Sequence, residues 1–165
     1  VTGSWHAACL YKGQILLEAV MPGSSQPTRR HATVLLAEDD PALRDLLAFC
    51  LYRQGYTVVS CGDGMSLLDR LLPSLEGEGE SIDLVVTDIR MPGLTGLEVL
   101  ESLFDRGGHP PVICMTAFGD QETHALAGRL GAAAVIDKPF DIDILVDRVR
   151  TLCPPVGPTT EQRSN

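Results

Sequence analysis

Between residues 33 and 152 the chain alternates short apolar runs with longer segments whose apolar residues return every three or four positions. The first run, TVLLA (33–37), is β-prone and apolar on both faces. Leu43, Leu46, Leu47, Cys50 and Leu51 then fall at i, i+3, i+4, i+7 and i+8, which predicts one face of an amphipathic helix over 41–54. Asp40 suits the cap of that helix and Pro41 its first turn, and Gly55 ends it.

The same alternation repeats four more times. YTVVSC (56–61) reads as a strand, and 65–75 as a helix with Pro73 limiting its end. EGEGES (76–81) reads as a solvated loop, IDLVVTD (82–88) as a strand and IRMPGLTG (89–96) as a loop. Leu97, Leu100, Leu103 and Phe104 mark a third helical face. PVICMTA (111–117) is a strand, 120–130 a helix ending at Gly131, AAVID (133–137) a strand, and 141–152 a last helix built on Leu145, Val149 and Leu152. Five strand–helix units with strands apolar on both faces predict an α/β fold, a parallel sheet covered by helices on both sides.

Composition narrows the class. With 44% hydrophobic residues in 165, the chain can bury one domain's core, expected over 32–153. Residues 1–31 are expected to be a flexible extension, with Met21 a candidate native start, and 154–165 a disordered tail. A net charge of -9 argues against direct nucleic-acid binding or an anionic membrane surface. No apolar run is long enough for a membrane span. The five cysteines, Cys9, Cys50, Cys61, Cys114 and Cys153, are scattered and read as buried thiols in a reducing cytoplasm.

The polar residues then fall at telling places. Glu38, Asp39 and Asp40 follow the first strand, Asp88 ends the third, Thr116 sits at the end of the fourth, and Lys138 lies just past the fifth. In a parallel sheet these positions share the carboxyl edge, where open α/β sheets bind ligands. Packed carboxylates repel one another unless a cation joins them, and a hard divalent ion such as Mg²⁺ suits oxygen ligands. A carboxylate beside Mg²⁺ can act as a nucleophile towards phosphorus, with a hydroxyl and an ammonium receiving the phosphoryl oxygens. Lys138 is the only lysine after residue 12; between residue 32 and the C-terminus the other cationic side chains are Arg, which is no substitute for a compact point charge.

The stretches LLAEDDPALRDLL, VVTDIRMPGLTGLEVL, ICMTAFGD and GAAAVIDKPFD, in this order and spacing, resemble the receiver domain of two-component response regulators over about residues 33–152. The resemblance implies a flavodoxin-like, doubly wound five-stranded parallel sheet in the order 2-1-3-4-5 with five helices. It implies Asp88 as phosphoacceptor from the histidine of a sensor kinase or phosphotransfer protein, and Glu38 and Asp39 as Mg²⁺-binding acids, with Asp39 the more direct ligand. Asp88 and the backbone carbonyl of Arg90 complete the ligand set. It implies Thr116 as the hydroxyl that moves to the phosphoryl group and Lys138 as the partner of Asp88, with a cis peptide bond before Pro139. The resemblance also implies a signalling phosphoacceptor rather than an enzyme in its own right, acting on a downstream protein target, and a homodimer through the fourth-helix face is compatible with it.

Other readings fit the residues less well. Asp40 reads first as a helix cap. His109 and His124 lack metal-ligand spacing and read as surface residues, and the acids of 76–80 as a solvated loop. Arg90's side chain reads as exposed, and the resemblance implies that this position and Phe118 tune phosphate lifetime. Val135 stands where the family often has an aromatic, which puts the usual aromatic switch in doubt. An aspartyl-intermediate phosphatase would want D-x-D, but residue 90 is Arg; a flavin site would want a phosphate loop where EDDP stands. A degenerate receiver acting as a phosphorylation-independent binding module, and a receiver excised from a larger transcriptional regulator, complete the alternatives.

Overall fold

The three inner strands of the sheet, Thr33–Ala37, Leu84–Asp88 and Val112–Thr116, are buried at every position, which is why the sheet needs helices on both faces, while the two edge strands, Thr57–Cys61 and Ala134–Asp137, are only partly buried. The computed structural model describes residues 30–117 and 119–155. The expectations for 1–29, including Met21 and Cys9, for Phe118 and for 156–165 lie outside the described residues.

The elements alternate without exception: β1 (Thr33–Ala37), α1 (Pro41–Arg53), β2 (Thr57–Cys61), α2 (Gly64–Leu75), β3 (Leu84–Asp88), α3 (Gly96–Phe104), β4 (Val112–Thr116), α4 (Gln121–Arg129), β5 (Ala134–Asp137) and α5 (Ile142–Leu152). All pairings are parallel and the order is β2-β1-β3-β4-β5, as expected. Alternate residues of each strand feed opposite faces. Val34, Leu36, Leu84 and Val86 join Leu47 and Leu51 of α1 and Leu145 and Val149 of α5. Leu35, Ala37, Val85, Val112 and Cys114 join Leu67 and Leu71 of α2 and Val99, Leu100 and Leu103 of α3.

Helix faces depart from the simple periodic reading. Leu47 and Leu51 are buried, but Leu46 is 47% exposed and Cys50 only half-buried. In α3 the buried residues are Gly96, Val99, Leu100 and Leu103, while Phe104 is 55% exposed. The helix presents a narrower stripe to the sheet than its apolar residues offer. The helix expected over 65–75 is α2, which ends at Leu75 as expected, with Pro73 inside its last turn. The hydrogen bond that Pro73 cannot make would go to Asp69, an exposed residue whose carbonyl water can serve. The caps behave as expected: the Asp40 carboxylate accepts from the amides of Ala42 and Leu43. Glu76, Glu78 and Glu80 are exposed in their loop.

Cys61 and Cys114 are buried free thiols, and burial pushes Cys114 up to about 12, which keeps it protonated and inert. Cys50 and Cys153 are only partly buried. Among the described residues, no helix is long and apolar enough to cross a membrane.

Candidate functional site

Asp88 is the last residue of β3, and its position is set by the turn that follows. The Gly96 amide donates to the Ile89 carbonyl at 3.0 Å, folding the loop back so that α3 starts against the strand end. A Cβ at Gly96 would overlap the Asp88 carbonyl, so only glycine allows this approach. The Thr95–Glu98 capping box then fixes the helix entry. Asp88 is 6% exposed. Its Oδ1 accepts from the Arg90 amide at 3.0 Å and its Oδ2 from Lys138 Nζ at 2.6 Å.

Glu38 directly follows β1 and is 1% exposed. Each of its polar groups has a partner. Its amide donates to Cys61 O at 3.2 Å and its carbonyl accepts from Arg44 Nη1 at 2.7 Å. Oε1 accepts from the Asp40 amide at 3.3 Å and Oε2 from Lys138 Nζ at 2.6 Å. Asp39 is exposed beside it. One carboxylate oxygen from each of Glu38, Asp39 and Asp88 lies within 4.8 Å of the others. Octahedral Mg²⁺, with oxygens at about 2.1 Å, places ligand pairs roughly 3 to 4 Å apart, so this donor set fits it after a small contraction. Asp40 is not in the cluster; its carboxylate is committed to the α1 cap.

Lys138 lies just past β5, and its amide donates to Thr116 O at 2.6 Å, which ties the loop to the end of β4. The Lys138–Pro139 peptide is cis. The ammonium reaches both Glu38 and Asp88. Burial opposes its charge, but hydrogen bonds to Asp88 and Glu38 outweigh this and hold its pKa above the ordinary lysine value. Burial also raises the Glu38 carboxyl above its usual range, and the Lys138 contact only partly offsets it.

Thr116 is buried at 1% exposure at the end of β4, so all the residues predicted for the site lie on one edge of the sheet. Arg90 is exposed, with its main chain against Asp88. Val135 is half-buried and packs with the α2–α3 cluster. His109 is partly buried, with Nδ1 2.9 Å from the Pro110 carbonyl oxygen. His124 is more than a bare surface residue: its Nε2 lies 2.7 Å from Asp137 Oδ1, linking α4 to the residue before Lys138. Arg44 joins the site without having been expected from the sequence. It lies four residues beyond Asp40, one helical turn on, and that spacing is the signal that it turns back to the acidic loop.

Known proteins resemble this chain in sequence and in fold. The sequence model of the family described as "Response regulator receiver domain" matches residues 34–150. The transcriptional regulatory protein FixJ of Azorhizobium caulinodans is 40% identical over 117 residues, covering 71% of this chain and 53% of FixJ. The transcriptional activator protein PfeR of Pseudomonas aeruginosa is 40% identical over 125 residues, covering 71% of this chain and 38% of PfeR. The response regulator protein TrrA of Thermotoga maritima, solved in complex with Mg(2+)-BeF, superposes with a TM-score of 0.63 at 28% identity, over 73% of this chain and 98% of that one. This chain spans about half or less of the length of these two curated relatives.

Proposed function

The chain belongs to the response regulator receiver family of two-component signalling, and on that premise we propose that Asp88 is its phosphoacceptor. The phosphoryl group comes from a phosphohistidine on a sensor kinase or phosphotransfer protein. Glu38, Asp39 and Asp88 hold Mg²⁺, with the backbone carbonyl of Arg90 as a further ligand. The observation that carries this reading is the Asp88 carboxylate itself. It is nearly buried, bonded to Lys138 at 2.6 Å, and lies within an acidic triad of ion-binding size.

The chemistry follows from those groups. An Asp88 carboxylate oxygen attacks phosphorus; the new O–P bond forms as the histidine N–P bond breaks. The histidine nitrogen leaves with the bonding pair and takes a proton from solvent. Mg²⁺, when bound, neutralises charge on the phosphoryl oxygens. Lys138 moves from carboxylate to phosphoryl oxygen with little travel, and the Thr116 hydroxyl donates to another. The site holds its own acceptor and charge-stabilising groups, so the chain acts as a self-phosphorylating switch on a donor's phosphoryl group.

For the donor, α1 offers a surface. Leu46, Phe49 and Tyr52 are 47%, 59% and 69% exposed on the helix that begins beside the acids. Apolar exposure of this kind favours protein contact. FixJ and PfeR are named as transcriptional regulators, and an output of that class is proposed here, delivered through protein contact rather than by these described residues binding nucleic acid.

The test is intact-mass measurement after incubation with Mg²⁺ and acetyl phosphate. Wild type should gain one labile phosphate and Asp88→Asn none. A wild type that gains no phosphate and does not bind Mg²⁺ would leave only a phosphorylation-independent binding module.

A further inference from the structure

We infer that Arg44 is a positioning residue for the acidic pair, holding Asp39 in its ion-binding direction through the Glu38 carbonyl. The inference rests on the Mg²⁺ site proposed above. Arg44 is half-buried on the first turns of α1, and its own amide donates to Asp40 O at 2.9 Å. Its Nη1 reaches back to donate to Glu38 O at 2.7 Å. That carbonyl belongs to the peptide joining Glu38 to Asp39. The orientation of this peptide plane sets where the Asp39 side chain points. The Glu38 side chain is already fixed by Lys138 and the Asp40 amide, and its own amide by Cys61. Arg44 is the contact that fixes the carbonyl side of that peptide.

Gly62, just past β2, shapes the seat of the guanidinium. A Cβ there would stand 3.0 Å from Arg44 Nη1 and 4.0 Å from the Glu38 carbonyl oxygen. The absent side chain leaves room for the guanidinium to lie against the acidic loop. Groups that orient metal ligands from behind matter nearly as much as the ligands. Charge alone makes the opposite prediction. A guanidinium beside a cation site repels the cation, so its removal would tighten Mg²⁺ binding if position did not matter.

The two effects differ in sign, and that decides the test. Mg²⁺ affinity is measured by titrating MgCl₂ into the 165-residue protein and following amide NMR shifts, for wild type, Asp39→Asn, Arg44→Gln and Gly62→Ala. Positioning predicts that Arg44→Gln weakens Mg²⁺ by roughly 10-fold, the range for groups behind a metal ligand. Gly62→Ala, which keeps the charge and displaces only the end of a flexible side chain, should weaken it in the same direction. The Mg²⁺ concentration for half-maximal phosphorylation by acetyl phosphate should rise in step, with the rate at saturating Mg²⁺ largely kept. Unchanged or tighter Mg²⁺ binding in both variants overturns the inference. Should Arg44→Gln not fold, Gly62→Ala decides alone. Wild type binding no better than Asp39→Asn would instead overturn the Mg²⁺ site, and the inference with it.

Discussion

Lys138 and Asp88, fifty positions apart in the chain, meet at 2.6 Å, and the same ammonium bonds Glu38 at 2.6 Å. The lysine therefore stands between the two buried acids that the proposed cation must also bridge.

That sharing predicts a metal-dependent stability defect. Lys138→Met leaves two buried carboxylates without their ammonium, at a cost of about 3 kcal/mol. Thermal denaturation should show the loss without Mg²⁺, and Mg²⁺ should raise the variant's Tm more than that of wild type. Equal losses with and without Mg²⁺ would show that lysine and cation do not use the same acids. Lys138→Arg should keep Mg²⁺ binding and lose partner switching, because a bulkier planar guanidinium does not replace a compact point charge on a flexible stem.

Two glycines should respond in opposite directions. A Cβ at Gly96 meets backbone at Asp88, so Gly96→Ala must shift α3 or the end of β3, lowering both stability and the phosphorylation rate. At Gly128, in α4, a Cβ would meet nothing within 4 Å, and Gly128→Ala should stabilise by up to about 1 kcal/mol through helix propensity. Chemical denaturation of both variants checks the pair.

Two leucines on periodic helix faces should also separate. Leu100→Ala removes a fully buried side chain between α3 and the sheet and should cost about 3 kcal/mol. Leu46→Ala removes one that is 47% exposed and should change stability by less than about 0.5 kcal/mol. The same substitution should weaken phosphotransfer from a protein donor but not from acetyl phosphate, if α1 is the donor surface.

Acid sensitivity should come partly from the opposite edge of the sheet. Asp83 is partly buried, which works against its charge, but bonds from Arg30 at 2.8 Å and the Thr33 amide at 2.7 Å outweigh this and hold its pKa below the ordinary value. A depressed carboxyl contributes stability that is present above its unfolded pKa, about 3.9, and is lost as pH falls through the folded value. Asp83→Asn should therefore be less stable than wild type at neutral pH, with the gap closing below about pH 4. A gap that persists unchanged at pH 3 would assign Asp83 no part in acid unfolding.

Local pattern alone determined much of this protein. The order of its elements and the parallel, twice-covered sheet follow from apolar runs, helical spacing and caps such as Asp40. These signals are local, as are the ends of strands that carry Asp88 and Thr116. Spacing and strand direction then put the acids and Lys138 on one edge. Tertiary structure decided what depends on how surfaces meet. Leu46 and Phe104 are exposed because the sheet covers only a narrow stripe of each helix. Lys138 takes Glu38 as well as Asp88 because the order of β1, β3, β4 and β5 brings both acids within reach of one ammonium. Arg44 turns inward, and Gly62 and Gly96 matter, only because separate segments approach too closely for a side chain between them. A one-dimensional pattern carries no record of that proximity.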